Sequence, residues 1–448
     1  MTARPRALVL VDGEHYPPVI LDALATFASD LDVVAAVMLG GGEKLSGPMA
    51  LGDLPIVTGL SQREALEAAF DRYGADVVVD LSDAPVIDAR ARNLLIAVSA
   101  ANGAAYRAAG STFEQPFTAR RPSVPTIAVI GTGKRTGKTA VSAALARHIA
   151  ATGARPVIVA MGRGGPDKPL VTRGDVERPT VESLIALAER GEHAASDTYE
   201  DAVVAGVTTV GARRAGSGVL GEPAFDTVSE AIAVAEDEDP DVLILEGSGT
   251  AIPPARADAV LLVVGGATAP EEMFTPLGYL RLLIADLALV TMAEEPVLST
   301  ETLSALSSSI AELARDVPVV RTVFRPAPVG SVAGKKIFFA TTAPETAARS
   351  MRTHLEEAHG AEVVGITHRL SDRSQLSQDL KDAEGSYEVL LTELKAAAVD
   401  VAARAARSAG ADVVFADNIP VAVEGDLTAA FDAVIEKATV RANTRKRS

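Results

Sequence analysis

Cysteine is absent from the 448 residues, and basic side chains are scarce: 42 Lys and Arg stand against 59 Asp and Glu, a formal net charge of −17. Without thiols the chain has no disulfide, no thiolate nucleophile and no cysteine-bound metal. The acidic balance argues against nucleic acid or an anionic membrane as partner, because both require a basic surface. An anionic small substrate fits only if cations are gathered locally. Long apolar runs are missing too. Arg4 and Arg6 precede only Ala7 to Val11 before Asp12, too short an apolar core for a secretory signal. The most apolar long stretch, residues 277–292, is broken by Arg281 and Asp286 and does not read as a membrane span. A soluble cytoplasmic protein is the expectation.

What the chain does have is alternation. Short β-branched runs alternate with helical spacing throughout, and 48% hydrophobic content at this length supports about three cores. The pattern predicts an α/β fold: a central P-loop NTPase-like parallel sheet flanked by Rossmann-like α/β units. The divisions fall at 1–110, a proline-containing linker at 111–125, a nucleotide-binding unit at 126–325 and a last unit at 335–448. Predicted strands in the first unit cover 7–11, 33–39 and 76–80, and predicted helices 19–29, 63–73 and 89–102, the second capped by Ser61. Arg120-Arg121 in the linker and the acidic run Glu236 to Asp239 read as solvated surface. His354 and His359, five residues apart, are not expected to share a helix face.

The most informative stretch is Gly131-Thr132-Gly133-Lys134-Arg135-Thr136-Gly137-Lys138-Thr139, between an apolar strand at 126–130 and a helix from Ala140 to Thr152. Strand, glycine-rich loop and helix make a phosphate cradle: the glycines admit close backbone approach, and inward N–H groups and the helix N-terminus supply positive potential. Lys138 reaches the β- and γ-phosphates, and the Thr139 hydroxyl is placed to ligate Mg²⁺. The strict pattern wants glycine where Thr132 stands. The partner motif is 242–245 followed by Glu246-Gly247-Ser248-Gly249, an apolar strand ending in an acid that can hold Mg²⁺ beside Thr139.

Ligands of parallel sheets bind at the carboxyl ends of strands, so the strand-end loops are the candidate sites. Met161 to Lys168, with Arg163 and Gly165, offers backbone N–H groups and cations for an anionic group, to which Arg173 can add charge. Asp12, Glu14 and His15 crowd three titratable groups into four residues, suited to proton transfer or to holding a metal. Gly40 to Lys44 and Asp80 to Pro85 end the next two strands. In the last unit, Thr341 to Glu345 is a possible anion site, and His368, Arg369 and Arg373 offer a phosphate or carboxylate grip. The segment 197–220, with Arg213 and Arg214, is a candidate lid or substrate loop.

The Gly-Thr-x-x-x-x-Gly-Lys-Thr loop and the Glu-Gly strand end resemble dethiobiotin synthetase and the cobyric-acid-type amidotransferases. The whole chain resembles the cyclic 2,3-diphosphoglycerate synthetase family, through Val11-Asp12-Gly13-Glu14-His15-Tyr16-Pro17-Pro18-Val19, the loop Gly131 to Thr139, Gly162-Arg163-Gly164-Gly165-Pro166, Leu245-Glu246-Gly247-Ser248-Gly249 and the region around His368-Arg369. That resemblance implies ATP and Mg²⁺ as cofactors and 2,3-bisphosphoglycerate as a small, highly anionic substrate, closed into an internal pyrophosphate with release of ADP and phosphate. It implies catalytic roles for Lys138, Lys134 and Arg163, a nucleotide cradle from Gly131 to Thr139, and metal ligation by Thr139 and Glu246. Asp12, Glu14, His15, Arg163, Gly165, His368, Arg369 and Arg373 fall on the substrate side. Related P-loop enzymes suggest a homodimer. Two competing readings stay open: a dethiobiotin-like enzyme activating another small acid, and a GTP-driven switch or metallochaperone. The latter lacks an Asn/Thr-Lys-x-Asp signature and any Cys- or His-rich tract.

Overall fold

The structure, a computed structural model, describes residues 3–42, 47 and 49–447. Glu43 and Lys44 of the second strand-end loop lie outside the described residues. Two sheets organise the chain. The first comprises β1 (Arg6–Val11), β2 (Asp32–Met38), β3 (Ile56–Val57), β4 (Val77–Asp80), β5 (Ala105–Ala108) and β6 (Ser111–Phe113) in the order β3-β2-β1-β4-β5-β6. All neighbours are parallel except β5 and β6, which form a hairpin. This is a doubly wound, Rossmann-like order. Its helices start where the sequence predicts: Ser61 accepts from the backbone N of Glu64 at 3.2 Å and Asp88 from that of Ala91 at 2.7 Å.

The second sheet takes β7 (Thr126–Gly131), β8 (Pro156–Gly162), β9 (Leu170–Arg173), β10 (Thr208–Ala215), β11 (Phe225–Asp226), β12 (Val242–Glu246), β13 (Ala259–Val264), β14 (Leu287–Val290), β15 (Val319–Pro328), β16 (Lys336–Ala340), β17 (Glu362–Thr367), β18 (Val389–Glu393) and β19 (Asp412–Glu424). The order is β11-β10-β8-β12-β7-β13-β14-β15-β19-β18-β16-β17, with β9 beside β10. The strands β10 to β15 on this path are mutually parallel, as are β19 to β17, and the two blocks meet at the antiparallel pair β15–β19. That pair is long and staggered. Arg321 to Pro328 lies against Glu424 to Ala416, while only Asp412 to Ala416 pairs with β18. The two blocks therefore run head-on, and their carboxyl edges face one another. Both faces of the central strands are buried, as their unbroken apolar runs require.

Arg120, Arg121, Asp237 and Asp239 are exposed as expected, and several of these surface side chains also form ion pairs. Arg121 pairs with Asp258 at 3.0 Å and Arg120 with Glu236 at 2.6 Å. Glu238 takes Arg173 and Asp239 takes Arg155. The acidic run is thus held by arginines remote from it in sequence, which no local pattern reveals, and Arg173 is committed away from any anion. His354 and His359 also depart from expectation: both lie on the Ala348–His359 helix and their rings meet edge-on at 5.3 Å.

The C-terminal helix Leu427–Arg447 packs on β7 and β13 and is fixed there by buried acids that precede β13 and β14. Asp286 receives Lys437 at 2.6 Å, Arg441 at 2.9 Å and the backbone N of Val260 at 3.0 Å. Asp286→Ala leaves that N–H and two half-exposed cations without their acceptor. The expected cost is about 2 kcal/mol, with the denaturant slope unchanged. Urea unfolding checks it; a loss below about 0.5 kcal/mol would show that the ion pairs contribute no more than an ordinary surface contact.

Candidate active site

The facing carboxyl edges enclose a cavity of about 710 Å³. One wall comes from the loops after β7, β8, β12, β13 and β14, the other from those after β16, β17 and β18. Strand-end loops of the second and third units therefore converge. Those of the first unit do not. That unit docks elsewhere, through its Ala89–Ala101 helix on Pro276–Ile284, where Arg90 lies 3.6 Å above the Phe274 ring and bonds Glu312 at 2.7 Å.

The phosphate loop is held from below. Thr132, standing where the strict pattern has glycine, is buried: its hydroxyl accepts from Gly265 N at 3.1 Å and meets the Thr268 hydroxyl at 2.6 Å. The hydroxyl replaces what a bare glycine would leave unmade, tying the loop to the end of β13. Gly137 begins the Lys138–Ala151 helix at φ +94°. Lys138 folds back under the loop, its Nζ donating to the carbonyls of Gly133 at 2.7 Å and Gly249 at 3.2 Å. Burial lowers its pKa to about 8, against the raising effect of Glu246. Lys134 and Arg135 are exposed on the cavity side, and Arg135 reaches across to donate to the Ser371 hydroxyl at 2.9 Å.

Beside Lys138 lies a buried group of acids. The Thr139 hydroxyl donates to Glu246 Oε1 at 2.7 Å. Oε2 of Glu246 and both carboxylate oxygens of Asp201 meet no N–H or hydroxyl donor among the described residues, and the two carboxyls lie close enough to share a proton. Asp197, at the start of the Asp197–Val204 helix, and Glu200 complete the group on the cavity wall. Burial first, then mutual repulsion, pushes Glu246 up to about 7 and Asp201 well above the usual carboxylate range. Burial also pushes Glu200 up to about 8, against the opposing pull of Lys395. Orphaned acid oxygens beside a P-loop hydroxyl fit a divalent cation. No group of three or more His, Asp or Glu side chains placed to hold a metal occurs among the described residues.

These shifts carry a sign. An acid whose pKa is raised by folding keeps a proton that the unfolded chain has released, so its stabilising protonation is lost as pH rises. The ligand-free protein is expected to melt at progressively lower temperature as pH rises from about 4.5 to about 8. Glu200→Gln should flatten that slope. Thermal melts in a chelator, at constant ionic strength, measure it; a midpoint that climbs across this range would show that the buried acids are ionised in the folded state.

The candidate residues divide sharply. Lys134, Arg135, Gly137, Lys138, Thr139 and Arg163 line the cavity, and Glu246 underlies it. Gly165 does not face it: a Cβ there would sit 2.1 Å from the Ala212 carbonyl, so this glycine serves close packing on β10. Asp12, Glu14 and His15 are also outside. Asp12 accepts from the backbone N of Glu14, His15 and Asp83 and from the His15 ring, closing the turns after β1 and β4, and this lowers its pKa against the opposing effect of burial. His368 contacts the Ala343 carbonyl, Arg369 pairs with Glu345 and Arg373 with Asp400, and none of the three is among the residues that line the cavity. The 197–220 segment supplies Asp197 and Glu200, while Arg214 bonds the Ser248 and Gly216 carbonyls. From sequence the 197–220 segment is a candidate loop, but Asp197, Glu200 and Asp201 within it are not singled out, and Glu393 and Lys395 are not found. Only the acidic opening of the Asp197 helix offered a local signal.

Profiles of the cyclic 2,3-diphosphoglycerate synthetase N-terminal, P-loop and C-terminal domains match residues 6–114, 126–323 and 328–419. A cyclic 2,3-diphosphoglycerate synthetase of Rubrobacter xylanophilus is 45% identical over 421 residues, covering 93% of this chain and 94% of that protein. One of Methanothermus fervidus is 41% identical over 442 residues, 96% of each. Among solved structures, LpxK from Aquifex aeolicus in complex with ATP covers 71% of this chain and 90% of its own, at 14% identity and TM-score 0.42, too distant to carry an argument.

Proposed function

The chain belongs to the cyclic 2,3-diphosphoglycerate synthetase family, and from that premise we propose that it uses ATP to close the two phosphates of 2,3-bisphosphoglycerate into an internal anhydride, releasing ADP and phosphate. The observation that carries this reading is the cavity itself. It joins a P-loop to a second wall and gathers Lys134, Arg135, Lys138, Arg163 and Lys395 in a protein of net charge −17. Its apolar flank, with Met292, Phe324 and Met351, suits a nucleobase.

In this reading one substrate phosphate attacks the γ-phosphorus of ATP, breaking the β–γ bridge and releasing ADP. The neighbouring phosphate then attacks the phosphorus to which the new phosphoryl is joined. The internal anhydride forms and inorganic phosphate leaves with the bridging electrons. Lys138 and the loop N–H groups hold the transferring phosphoryl, and Lys134, Arg135 and Arg163 screen two anions that repel. Thr139 and Glu246 would hold Mg²⁺, with Asp197 on the cavity wall and Asp201 buried beside them; such an ion would neutralise phosphate charge. A homodimeric, cytoplasmic enzyme belongs to the same reading.

The test is phosphate release from ATP and Mg²⁺ with and without 2,3-bisphosphoglycerate, followed by phosphorus NMR. Stimulated release and a cyclic diphosphate resonance are expected. Release indifferent to that substrate would retain the nucleotide site and discard the substrate.

A further inference from the structure

The third unit gives the cavity a single basic side chain among its described lining residues, Lys395, and the backbone is distorted to deliver it. β18 ends at Glu393, and three residues later the chain turns through Ala396 at φ +49°, a left-handed conformation that alanine rarely adopts. A π-helix, Ala398–Ala403, follows at once. Neither feature is needed to leave a strand. Both recur where backbone is bent for function, and here the bend aims Lys395 from the third unit across the cavity at the second.

There its Nζ lies 3.1 Å from Oε1 of Glu200. The pair is unequal. Asp197 and Asp417 are also within electrostatic reach of Lys395, and Glu393, a further carboxylate near it, is fully satisfied: Thr341 Oγ1, Thr342 N, Thr342 Oγ1 and Asn418 Nδ2 all donate to it within 3.0 Å. Glu200 is buried, and the ammonium is its one ion-pair partner among the described residues. Lys395 keeps 31% of its side chain exposed. An ammonium has three donors, so the groups in view leave room for an anion from the cavity. The arginines that looked suited to this task, Arg369 and Arg373, are paired with Glu345 and Asp400.

We propose that Lys395 binds a phosphate oxygen of the second, non-nucleotide substrate, opposite the P-loop, with the Glu200 carboxyl, 3.1 Å from the ammonium, as the group that parks it when that substrate is absent. This rests on the reading that the cavity takes a phosphorylated acid beside the nucleotide. Held by Lys138 and the loop on one side and by Lys395 on the other, such a substrate would pull the two units together. The competing account is that the pair is only a brace between units.

Calorimetry on the full chain separates these, using ADP and 2,3-bisphosphoglycerate as separate titrants. Lys395→Met should weaken bisphosphoglycerate binding by about 30-fold and leave ADP within about twofold. Lys395→Arg should recover most of the loss. Glu200→Gln, which frees the ammonium, should bind bisphosphoglycerate at least as tightly as the parent protein. A brace predicts the opposite for Glu200→Gln, and parallel loss of both ligands in Lys395→Met. Either result, or unchanged bisphosphoglycerate binding in Lys395→Met, overturns the proposal. Should Lys395→Met fail to fold, the Glu200→Gln titration decides alone. If the parent protein ignores 2,3-bisphosphoglycerate, the proposed function falls; inorganic phosphate titrated into the ADP-loaded protein then decides the role of Lys395. A loss of about tenfold in Lys395→Met supports it and no change refutes it.

Discussion

Lys138→Met is expected to cut ATP-driven phosphate release by about 10³-fold while leaving the thermal midpoint unchanged or higher. The two halves of this result have one cause. Lys138 is only 7% exposed and its ammonium is held by two neutral carbonyls, those of Gly133 and Gly249, beside Glu246. Burial brings its pKa down to about 8 from an ordinary value of 10.5. Folding therefore disfavours the charged form, at a cost on the order of 1–3 kcal/mol near neutral pH. Methionine removes that cost and fills the space of the aliphatic stem. Glu246 loses a favourable neighbour, which offsets part of the gain. What cannot be replaced is the charge, which in the proposed reaction stands beside the transferring phosphoryl as a preorganised cation. Phosphate release and thermal melts on the same preparation test both halves. Activity within tenfold of the parent would remove Lys138 from the chemistry. A large fall in midpoint would recast it as a pin for the Gly133 and Gly249 carbonyls.

The same contrast explains what could be read from the residues alone. The phosphate loop and Glu246 were legible because their chemistry is local: strand, loop and helix are contiguous, and Glu246 closes its own apolar strand. The α/β class followed from buried parallel strands that are apolar on both faces. The second wall was not legible. Whether Thr342, Ser371 and Lys395 face the loop depends on the stagger of β15 against β19, set by a pairing of segments about a hundred residues apart. Nothing in Thr367 to Arg373 distinguishes an arginine aimed at a ligand from one paired with Asp400. Lys395, by contrast, sits in an unremarkable Leu394-Lys395-Ala396 stretch whose left-handed turn appears only in the folded chain. The turn after β1 misled for the opposite reason. Asp12, Glu14 and His15 look reactive in sequence, yet the Asp12 carboxylate is occupied in closing the turns that end β1 and β4.

Gly137→Ala should disable the loop by a route that leaves every charge in place. At φ +94° an alanine is strained by roughly 1–2 kcal/mol. Its Cβ would stand 2.1 Å from Cζ of Phe324 and 2.5 Å from Cε2. The ring must swing or the loop must lift, at about 1–3 kcal/mol more. Phe324 lies on β15 and lines the cavity, so either movement disturbs the phosphate cradle or the space beside it. The expected outcome is a loss of about 2–4 kcal/mol in unfolding free energy and of about 10²-fold in ADP affinity. The two causes separate in a double-mutant cycle. Phe324→Ala removes the clash but not the left-handed strain, so Gly137→Ala should cost less in that background than in the parent, and still cost something. An equal cost in both backgrounds would assign the whole effect to backbone conformation. No cost in the Phe324→Ala background would assign it to the ring, and would mean that the loop tolerates a side chain at Gly137 once β15 gives it room.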